Sequence, residues 1–282
     1  MPKKIIVNKF GGGILTKNFI PLMGEYLKEQ IKDGHQPVVV VSALPGVTNE
    51  LLDGSGTLFL KKLKQKHLQI MTDIGLNKEW KQKAQIELNK LLADLGKDLK
   101  LDRTVFVNED KIAAYGEKLA ATIFSFYLHS LGLPTKIFLA EEIPIITDNN
   151  FKNANIVYKI SEKNIQKKLS GLNEIPVIPG FTGKTEKGET TTLGRGGTDT
   201  TACFVGSALR AEKVILWKDV GGVFSADPKI IPEAKTLPFI SYEEAEKVGK
   251  IIHPKAIQYV KLFNTPLEIV SIINPKLKTI IG

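Results

Sequence analysis

The chain has 282 residues, 43% of them hydrophobic, which is enough for a substantial core in one large domain or two joined lobes. The single cysteine and four scattered histidines exclude an intramolecular disulfide and a thiolate metal cluster and argue against a zinc site, so we expect no metal bound by the protein itself. The formal net charge is +9, but only three residues are arginine, the side chain that makes bidentate contacts to bases, so we expect no binding to nucleic acid.

The first 55 residues alternate between strand and helix patterns. Residues 5–9 predict a strand that ends in a glycine loop, residues 17–32 a helix, and residues 38–41, all valine, a strand buried on both faces. A polar loop follows, and Thr48 or Asn49 can cap the next helix. This order indicates parallel βαβ architecture.

The middle of the chain, residues 54–131, shows mainly helical periodicity, with Leu88, Leu91, Leu92 and Leu95 on one face. Lysines outnumber acids in residues 54–100, which we interpret as a solvated helix face; steering of anionic substrates such as ATP is the alternative. Cys203 lies in an apolar run and is expected to be a buried structural thiol.

Short elements are predicted for the rest of the chain. They are strands at 135–139, 143–146, 176–179, 213–217 and 267–271, helices at 162–169, 198–209, 241–248 and 254–263, and a hairpin or mobile loop at 180–192. No linker, repeat, signal core or membrane-length apolar stretch is evident, so we expect one α/β unit in a soluble cytoplasmic protein.

Lys9 and the glycines Gly11, Gly12 and Gly13 follow the first strand. Glycines let backbone N–H groups approach phosphates, and a nearby lysine neutralises transferred charge. The spacing is not that of a Walker A loop, and three glycines also suit a plain turn, so both interpretations stay open.

Two further segments combine polar groups with strand or helix ends. Ser42 and Thr48 follow a buried strand, where ligands bind in open α/β sheets or where side chains simply cap a helix. Glu117 begins an apolar helix, where a carboxylate can pair with a ligand ammonium or simply favour the helix N-terminus.

Residues 190–201 are dense in hydroxyl groups and glycines and run into a helix that Thr198 or Asp199 can cap. The N–H groups of its first turn suit an anion, and Arg195 is a candidate clamp for a carboxylate or phosphate. We predict a binding site here. Residues 217–229 suit nucleotide contact or a surface hairpin equally well.

In this order, the segments resemble the amino acid kinase family, and within it the aspartate kinases, over essentially the whole chain and least at residues 54–100. The most specific are residues 42–49 and 190–201; the Arg and Asp of the latter separate aspartate kinases from the carbamate, uridylate and glutamate kinases of the same fold. Residues 252–256 and 274–275 are also similar.

The resemblance implies a three-layer αβα sandwich around a mainly parallel open sheet, a single amino acid kinase domain over residues 1–282. Residues 1 to about 205 would form an amino-acid-binding lobe and residues from about 206 to 282 a nucleotide-binding lobe. It implies transfer of a phosphoryl group from ATP, with Mg²⁺ carried by the nucleotide, to the β-carboxylate of L-aspartate in the biosynthesis of lysine, threonine and methionine, by a homodimer.

The resemblance also implies roles for individual residues. Lys9 would stabilise the transferred phosphoryl group and Arg195 would hold the α-carboxylate. Glu117 and Asp199 would lie near the ammonium. The remaining acceptor contacts would be Ser42, Thr48 and Thr198, and the remaining ATP contacts Gly11, Gly12, Lys218, Asp219, Phe224, Asp227, Lys229 and Lys250.

The chain departs from the family pattern mainly on the nucleotide side. Gly13 and Ile14 stand where the family has Thr-Ser, and Gly221 where it often has Asp. We expect a kinase domain without the family's C-terminal regulatory domains, and therefore no feedback by lysine or threonine unless another subunit supplies it. The alternatives are a kinase for another carboxylate-bearing amino acid and a non-catalytic nucleotide-binding subunit.

Overall fold

The computed structural model describes residues 3–139, 142, 145–226, 230–231, 233–248 and 252–282. The strands of this part are β1 Ile5–Phe10, β2 Gln36–Val41, β3 Thr135–Ile137, β4 Ile175–Pro179, β5 Thr182–Lys184, β6 Thr190–Thr192, β7 Lys213–Lys218, β8 Phe239–Ile240, β9 Leu267–Ser271 and β10 Lys278–Ile281. The helices are α1 Ile20–Lys32, α2 Val47–Asp53, α3 Gly56–Asp73, α4 Lys78–Asp98, α5 Phe106–Ala113, α6 Tyr115–Ser130, α7 Tyr158–Leu169, α8 Gly197–Ala208, α9 Tyr242–Val248 and α10 Pro254–Lys261.

The main sheet has the strand order β3-β4-β2-β1-β7-β9-β10-β8 and is parallel except between β9 and β10. From β1 the chain builds the sheet first on the β2 side and later on the β7 side. The order of connection therefore reverses at the β1–β7 boundary, where open α/β sheets bind ligands at the carboxyl ends of their strands.

Two hydrophobic cores lie on opposite faces of this sheet. Alternate strand residues such as Phe10 and Val41 pack with α1, α2, α3, α4 and α6, while Val7 and Val40 pack with α7, α8, α9 and α10. The arrangement confirms the predicted three-layer αβα fold. Among the described residues, no helix combines the length and apolarity needed to cross a membrane.

Several predicted elements have different bounds in the structure. The helix expected at 162–169 begins at Tyr158, and the strand expected at 143–146 falls partly outside the described residues, with Ile146 in an isolated bridge to Lys184. The hairpin at 180–192 is confirmed as the antiparallel pair β5 and β6. Sequence patterns missed β8 at the sheet edge and β10 beside it, because strands this short show no clear period.

The predicted helix caps were wrong. The residues before α2 and α8 are Gly46 and Gly196, both left-handed, and Thr48 and Thr198 already lie inside the first helical turn. A left-handed glycine can turn the chain into a helix without a side-chain cap, which a search for hydroxyl caps does not detect. At α10, Pro254 occupies the first turn, where a proline is tolerated.

The lysines of residues 54–100 are all exposed or half-buried, whereas Leu88, Leu92 and Leu95 are buried on the opposite face of α4. This confirms the solvated helix face. Cys203 is confirmed as buried, and burial raises the pKa of its thiol well above the usual range.

Candidate active site

A cleft of about 220 Å³ opens where the carboxyl ends of β1 and β2 meet the start of α8. Its wall therefore comes from segments that are far apart in the chain. The lining residues are Lys9, Ser42, Thr48, Glu117, Phe181, Gly194, Gly196, Gly197, Thr198 and Asp199. A second hollow of about 400 Å³ is lined by Gly12, Gly13, residues 42–46, Thr48 and Asn49, and it shares Ser42 and Thr48 with the cleft.

Lys9 and Asp199, which line this cleft, form a charge cluster with the half-buried Lys218. Lys9 Nζ lies 2.6 Å from Oδ1 of Asp199, and Lys218 Nζ approaches from β7 to 3.3 Å from Oδ2. Lys9 and Asp199 are 6% and 7% exposed. Because two ammonium groups share one carboxylate, the ionised cluster has a net positive charge that is available to an anion.

Burial and charge act in opposite directions on this cluster. Burial alone would raise the pKa of Asp199, but the attraction of Lys9 and Lys218 brings it below its usual range. Burial also lowers the pKa of Lys9, against the attraction of Asp199. Because each carboxylate oxygen of Asp199 contacts a lysine, this side chain fixes the positions of Lys9 and Lys218.

The glycine loop leaves space that a side chain would fill. A Cβ atom on Gly11 would lie 2.8 Å from Lys9 Nζ, and one on Gly12 would lie 2.8 Å from the Ala43 carbonyl oxygen. Phosphate oxygens could therefore approach the backbone and Lys9 closely only because glycine occupies these positions. Gly13 and Ile14 are the two positions of this loop that depart from the family pattern. Gly13 has open space around it, and Ile14 is a core residue.

Glu117 is 2% exposed, in the first turn of α6. Its Oε1 accepts the backbone N–H of Ala43 at 3.1 Å, while Oε2 has no hydrogen-bond partner among the described residues. Burial raises the pKa of this carboxyl to about 8. A buried carboxyl that lines a cleft and has an open oxygen is suited to a cationic group of a ligand.

The start of α8 closes the cleft opposite the glycine loop. Gly194 and Gly196 have φ of +74° and +72°, a backbone conformation that favours glycine, and a Cβ on Gly196 would lie 2.6 Å from Cβ of His253. Thr198 Oγ1 donates to Ser42 Oγ at 3.2 Å. Because the first N–H groups of a helix lack intrahelical partners, this end of α8 suits an anion.

Arg195 does not line the cleft itself. It is exposed beside a neighbouring hollow of about 250 Å³ that shares Phe181 and Gly194 with the cleft. Its guanidinium makes no hydrogen bond or ion pair with any residue that the structure describes. The group is thus available for a carboxylate at the edge of the cleft.

Two residues that shape the site carried no predicted role. Asp110 of α5 accepts the N–H and the hydroxyl of Thr192, both at 2.8 Å, and the N–H of Lys152 at 2.9 Å. Lys255 of α10 donates to the carbonyl oxygens of Ala154 and Leu193. In the sequence, Asp110 is only an acid within a short predicted helix, and Lys255 only a lysine that follows a proline at a helix start. Neither pattern indicates which backbone groups these side chains bind.

The predicted nucleotide residues are only partly within the described chain. Asp219 is exposed after β7, and Phe224 bridges to Thr236. Asp227, Lys229 and Lys250 lie outside the described residues. The departure at Gly221 has a steric reason, because a Cβ there would lie 2.8 Å from Cβ of Leu277.

A sequence model of the Amino acid kinase family matches residues 4–271. The chain belongs to this family. Its glycine loop, its charge cluster and the start of α8 are therefore features of an amino acid kinase domain, at the carboxyl ends of the central strands.

The similar proteins include aspartokinases. The Rickettsia felis aspartokinase is 30% identical over 276 residues, covering 96% of this chain and 59% of the relative. Aspartokinase 2, chloroplastic, of Arabidopsis thaliana is 31% identical over 296 residues, covering 95% of this chain and 52% of the relative. The chain thus spans less than two thirds of the length of either relative.

Solved structures show the same fold. Escherichia coli aspartokinase III, determined in complex with lysine and aspartate, has a TM-score of 0.84 at 24% identity and covers 98% of this chain and 64% of its own. The UMP kinase of Ureaplasma parvum has a TM-score of 0.55 at 18% identity, with full coverage of both chains.

Proposed function

We propose that this chain transfers the γ-phosphoryl group of ATP to the β-carboxylate of L-aspartate, giving 4-phospho-L-aspartate and ADP. One observation carries the proposal: the positively charged Lys9–Asp199–Lys218 cluster and the open carboxyl of Glu117 serve neighbouring parts of one site. The first suits phosphoryl oxygens and the second an ammonium group. The similarity to aspartokinases supports the choice of acceptor.

On the acceptor side, Glu117 binds the ammonium of aspartate and Arg195 its α-carboxylate. Ser42, Thr48 and Thr198 orient the β-carboxylate toward the nucleotide. Asp199 holds Lys9 and Lys218 at the transferred group instead of contacting the ammonium, since both of its oxygens already contact these lysines. Residues 1–205 form the lobe that binds the amino acid.

On the donor side, Lys9 contacts the γ-phosphoryl group, and the backbone at Gly11 and Gly12 approaches the phosphates. Residues 206–282 form the nucleotide lobe and contribute Lys218. The further ATP contacts are Asp219, Phe224, Asp227, Lys229 and Lys250. Mg²⁺, carried by the phosphates of ATP, offsets their negative charge.

The reaction needs no general base, because the β-carboxylate of aspartate is ionised near neutral pH. One carboxylate oxygen forms a bond to the γ-phosphorus while the bond from that phosphorus to the bridging oxygen breaks, and the bonding electrons leave with ADP. Lys9 and Lys218 offset the charge on the transferred oxygens, so the protein contributes mainly positioning and charge stabilisation.

With this activity the protein would act in the biosynthesis of lysine, threonine and methionine, as a cytoplasmic homodimer. These assignments follow from the resemblance to aspartokinases and rest on the proposed reaction.

Hydroxylamine trapping tests the proposal, because hydroxylamine converts an acyl phosphate into a coloured hydroxamate. Purified protein is incubated with ATP, Mg²⁺ and one of several acidic amino acids. Hydroxamate from aspartate alone is the expected result. Product from another amino acid would reassign the acceptor, and product from none would indicate a nucleotide-binding protein without turnover.

A further inference from the structure

On the face of the sheet opposite the charge cluster, the amide of Asn8 uses all of its hydrogen-bonding capacity. Its oxygen accepts from Trp217 Nε1 at 3.0 Å and from Gln30 Nε2 at 2.9 Å. Its nitrogen donates to Gln30 Oε1 at 2.8 Å and to the carbonyl of Ile6 at 3.3 Å. Asn8 is fully buried, so this amide has one fixed orientation that joins β1, β7 and α1.

Tyr26, which lies on α1 like Gln30, contacts β7 directly and through Ile272. Its ring stacks on Trp217 with centroids 4.7 Å apart and planes 8° apart. Its hydroxyl donates to the carbonyl of Ile272 at 3.0 Å, and the N–H of Ile272 donates to the carbonyl of Lys218 at 2.8 Å. Helix α1 therefore holds the backbone at Lys218 through one intermediate residue.

These contacts lie directly behind the two lysines. Asn8 precedes Lys9 in β1, and Trp217 precedes Lys218 in β7, and successive strand residues point to opposite faces of a sheet. The strands are neighbours, with Phe10 paired to Trp217. A shift of β1 against β7 would change the distance between the lysines on the opposite face.

We propose that Asn8, Tyr26 and Gln30 are positioning residues that set the spacing of Lys9 and Lys218 around Asp199. The inference rests on the proposed phosphoryl transfer, in which both lysines act on the transferred group. Misplacement of a catalytic group by about 1 Å can cost on the order of 100-fold in rate. The aspartate-binding residues stand on other elements, so kcat should fall while KM for aspartate stays constant.

Tyr26→Phe removes one hydroxyl and keeps the stacked ring. We expect kcat to fall about tenfold, with KM for aspartate within about twofold of the original value. Tyr242→Phe is the matched control, since the Tyr242 hydroxyl also donates to a backbone carbonyl, that of Thr265 at 2.9 Å, but on α9 at the other face. Equal kcat values for the two variants would overturn the proposal.

Gln30→Met provides a second variant that breaks the amide pair and leaves the aromatic stack in place. It should show the same fall in kcat at constant KM for aspartate. A rise in that KM with unchanged kcat would contradict a role through the lysines.

A fluorescence measurement separates this inference from the proposed function. The chain has two tryptophans, so Trp80→Phe leaves Trp217 as the reporter. Binding of an ATP analogue with a non-hydrolysable β–γ bridge, followed in parallel by calorimetry, should change Trp217 emission, and Tyr26→Phe should reduce the change. If hydroxamate is not formed from aspartate while Trp217 still responds to the analogue, the proposed acceptor is wrong, but the link from these residues to the two lysines at the nucleotide is supported. Unchanged emission at a saturating concentration of the analogue, or no binding of it, overturns the inference.

Discussion

At the scale of single residues, the site depends on the ratio of charges around Asp199. One lysine paired with one carboxylate presents little net field to a phosphoryl group, whereas two lysines leave positive charge available. Lys218 supplies the second charge, from the end of β7. The attraction of this positive charge for a phosphoryl group is strong because Lys9 and Asp199 are shielded from water.

Asp199→Asn tests this role of the carboxylate. Without its charge, Lys9 and Lys218 repel each other and lose their alignment, so kcat should fall by about 100-fold or more, while KM for aspartate changes much less. Steady-state kinetics with aspartate and ATP give both values.

Glu268→Gln is the control for Asp199→Asn. Glu268 is also buried and also contacts two lysines, Lys213 at 3.2 Å and Lys278 at 3.3 Å, away from the cleft. An equal loss of kcat in both variants would show a general effect of removing a buried charge instead of a catalytic one.

The pKa of Glu117 predicts how the stability of the free protein depends on pH. The value rises from 4.5 to about 8 on folding, so the fold favours the protonated carboxyl. This contribution to stability is fully present below pH 4.5 and is lost as the pH rises through 8. Between pH 6 and 9, the melting temperature of Glu117→Gln should therefore fall less than that of the original protein. Parallel pH profiles would contradict the shifted pKa.

Aspartate binding should reverse the protonation of Glu117, because the ammonium group requires a carboxylate partner. At pH 7 a carboxyl with a pKa of about 8 is mostly protonated, so binding should release roughly 0.9 proton per aspartate. Calorimetry in two buffers of different ionisation enthalpy measures this number. Release should vanish in Glu117→Gln, and its absence in the original protein would contradict a raised pKa of Glu117 in the free protein.

At the scale of elements, helix α10 fixes the loop that leads into α8. Lys255 Nζ donates to Asn153 Oδ1 and to the carbonyl oxygens of Ala154 and Leu193. These bonds join the segment before α7 to the residue that precedes Gly194. The start of α8 is thus positioned by glycine turns and by a lysine distant in sequence.

Lys255→Met should loosen this loop and raise KM for aspartate by about tenfold, with a smaller change in kcat, because the start of α8 contributes to acceptor binding more than to phosphoryl transfer. Hydrogen exchange of residues 190–197 should increase in parallel. Lys261→Met is the control, since Lys261 on the same helix pairs with Glu243 at the surface. Unchanged exchange in Lys255→Met would contradict the role of this lysine.

Elements also show what the sequence could predict. The strand β1, the glycine loop and the glycine-rich entry to α8 are visible because each is a local pattern of residue types. Asp110 and Thr192 are 82 residues apart, and Asn8 and Trp217 are 209 apart, so their bonds depend on tertiary packing. The residues around Arg195 predicted a clamp for an anion. Its position outside the cleft could not be predicted, because that position depends on the path of the loop in three dimensions.

At the scale of the whole molecule, β1 pairs with β2 on one side and β7 on the other, and both cores extend across this boundary. The predicted lobes therefore share one sheet. A shared sheet lets small displacements of β1 against β7 act directly on the charge cluster, and it should also make unfolding cooperative.

The two tryptophans allow a direct test of cooperativity, because Trp80 lies in α4 and Trp217 lies in β7, one in each predicted lobe. In Trp217→Phe the fluorescence reports on the first lobe, and in Trp80→Phe it reports on the second. Within each variant, we expect the thermal transition seen by fluorescence to coincide with that seen by far-UV circular dichroism, because neither side of the sheet can keep its core without β1. A fluorescence midpoint several degrees away from the dichroism midpoint in either variant would show that the lobes unfold separately despite the shared sheet.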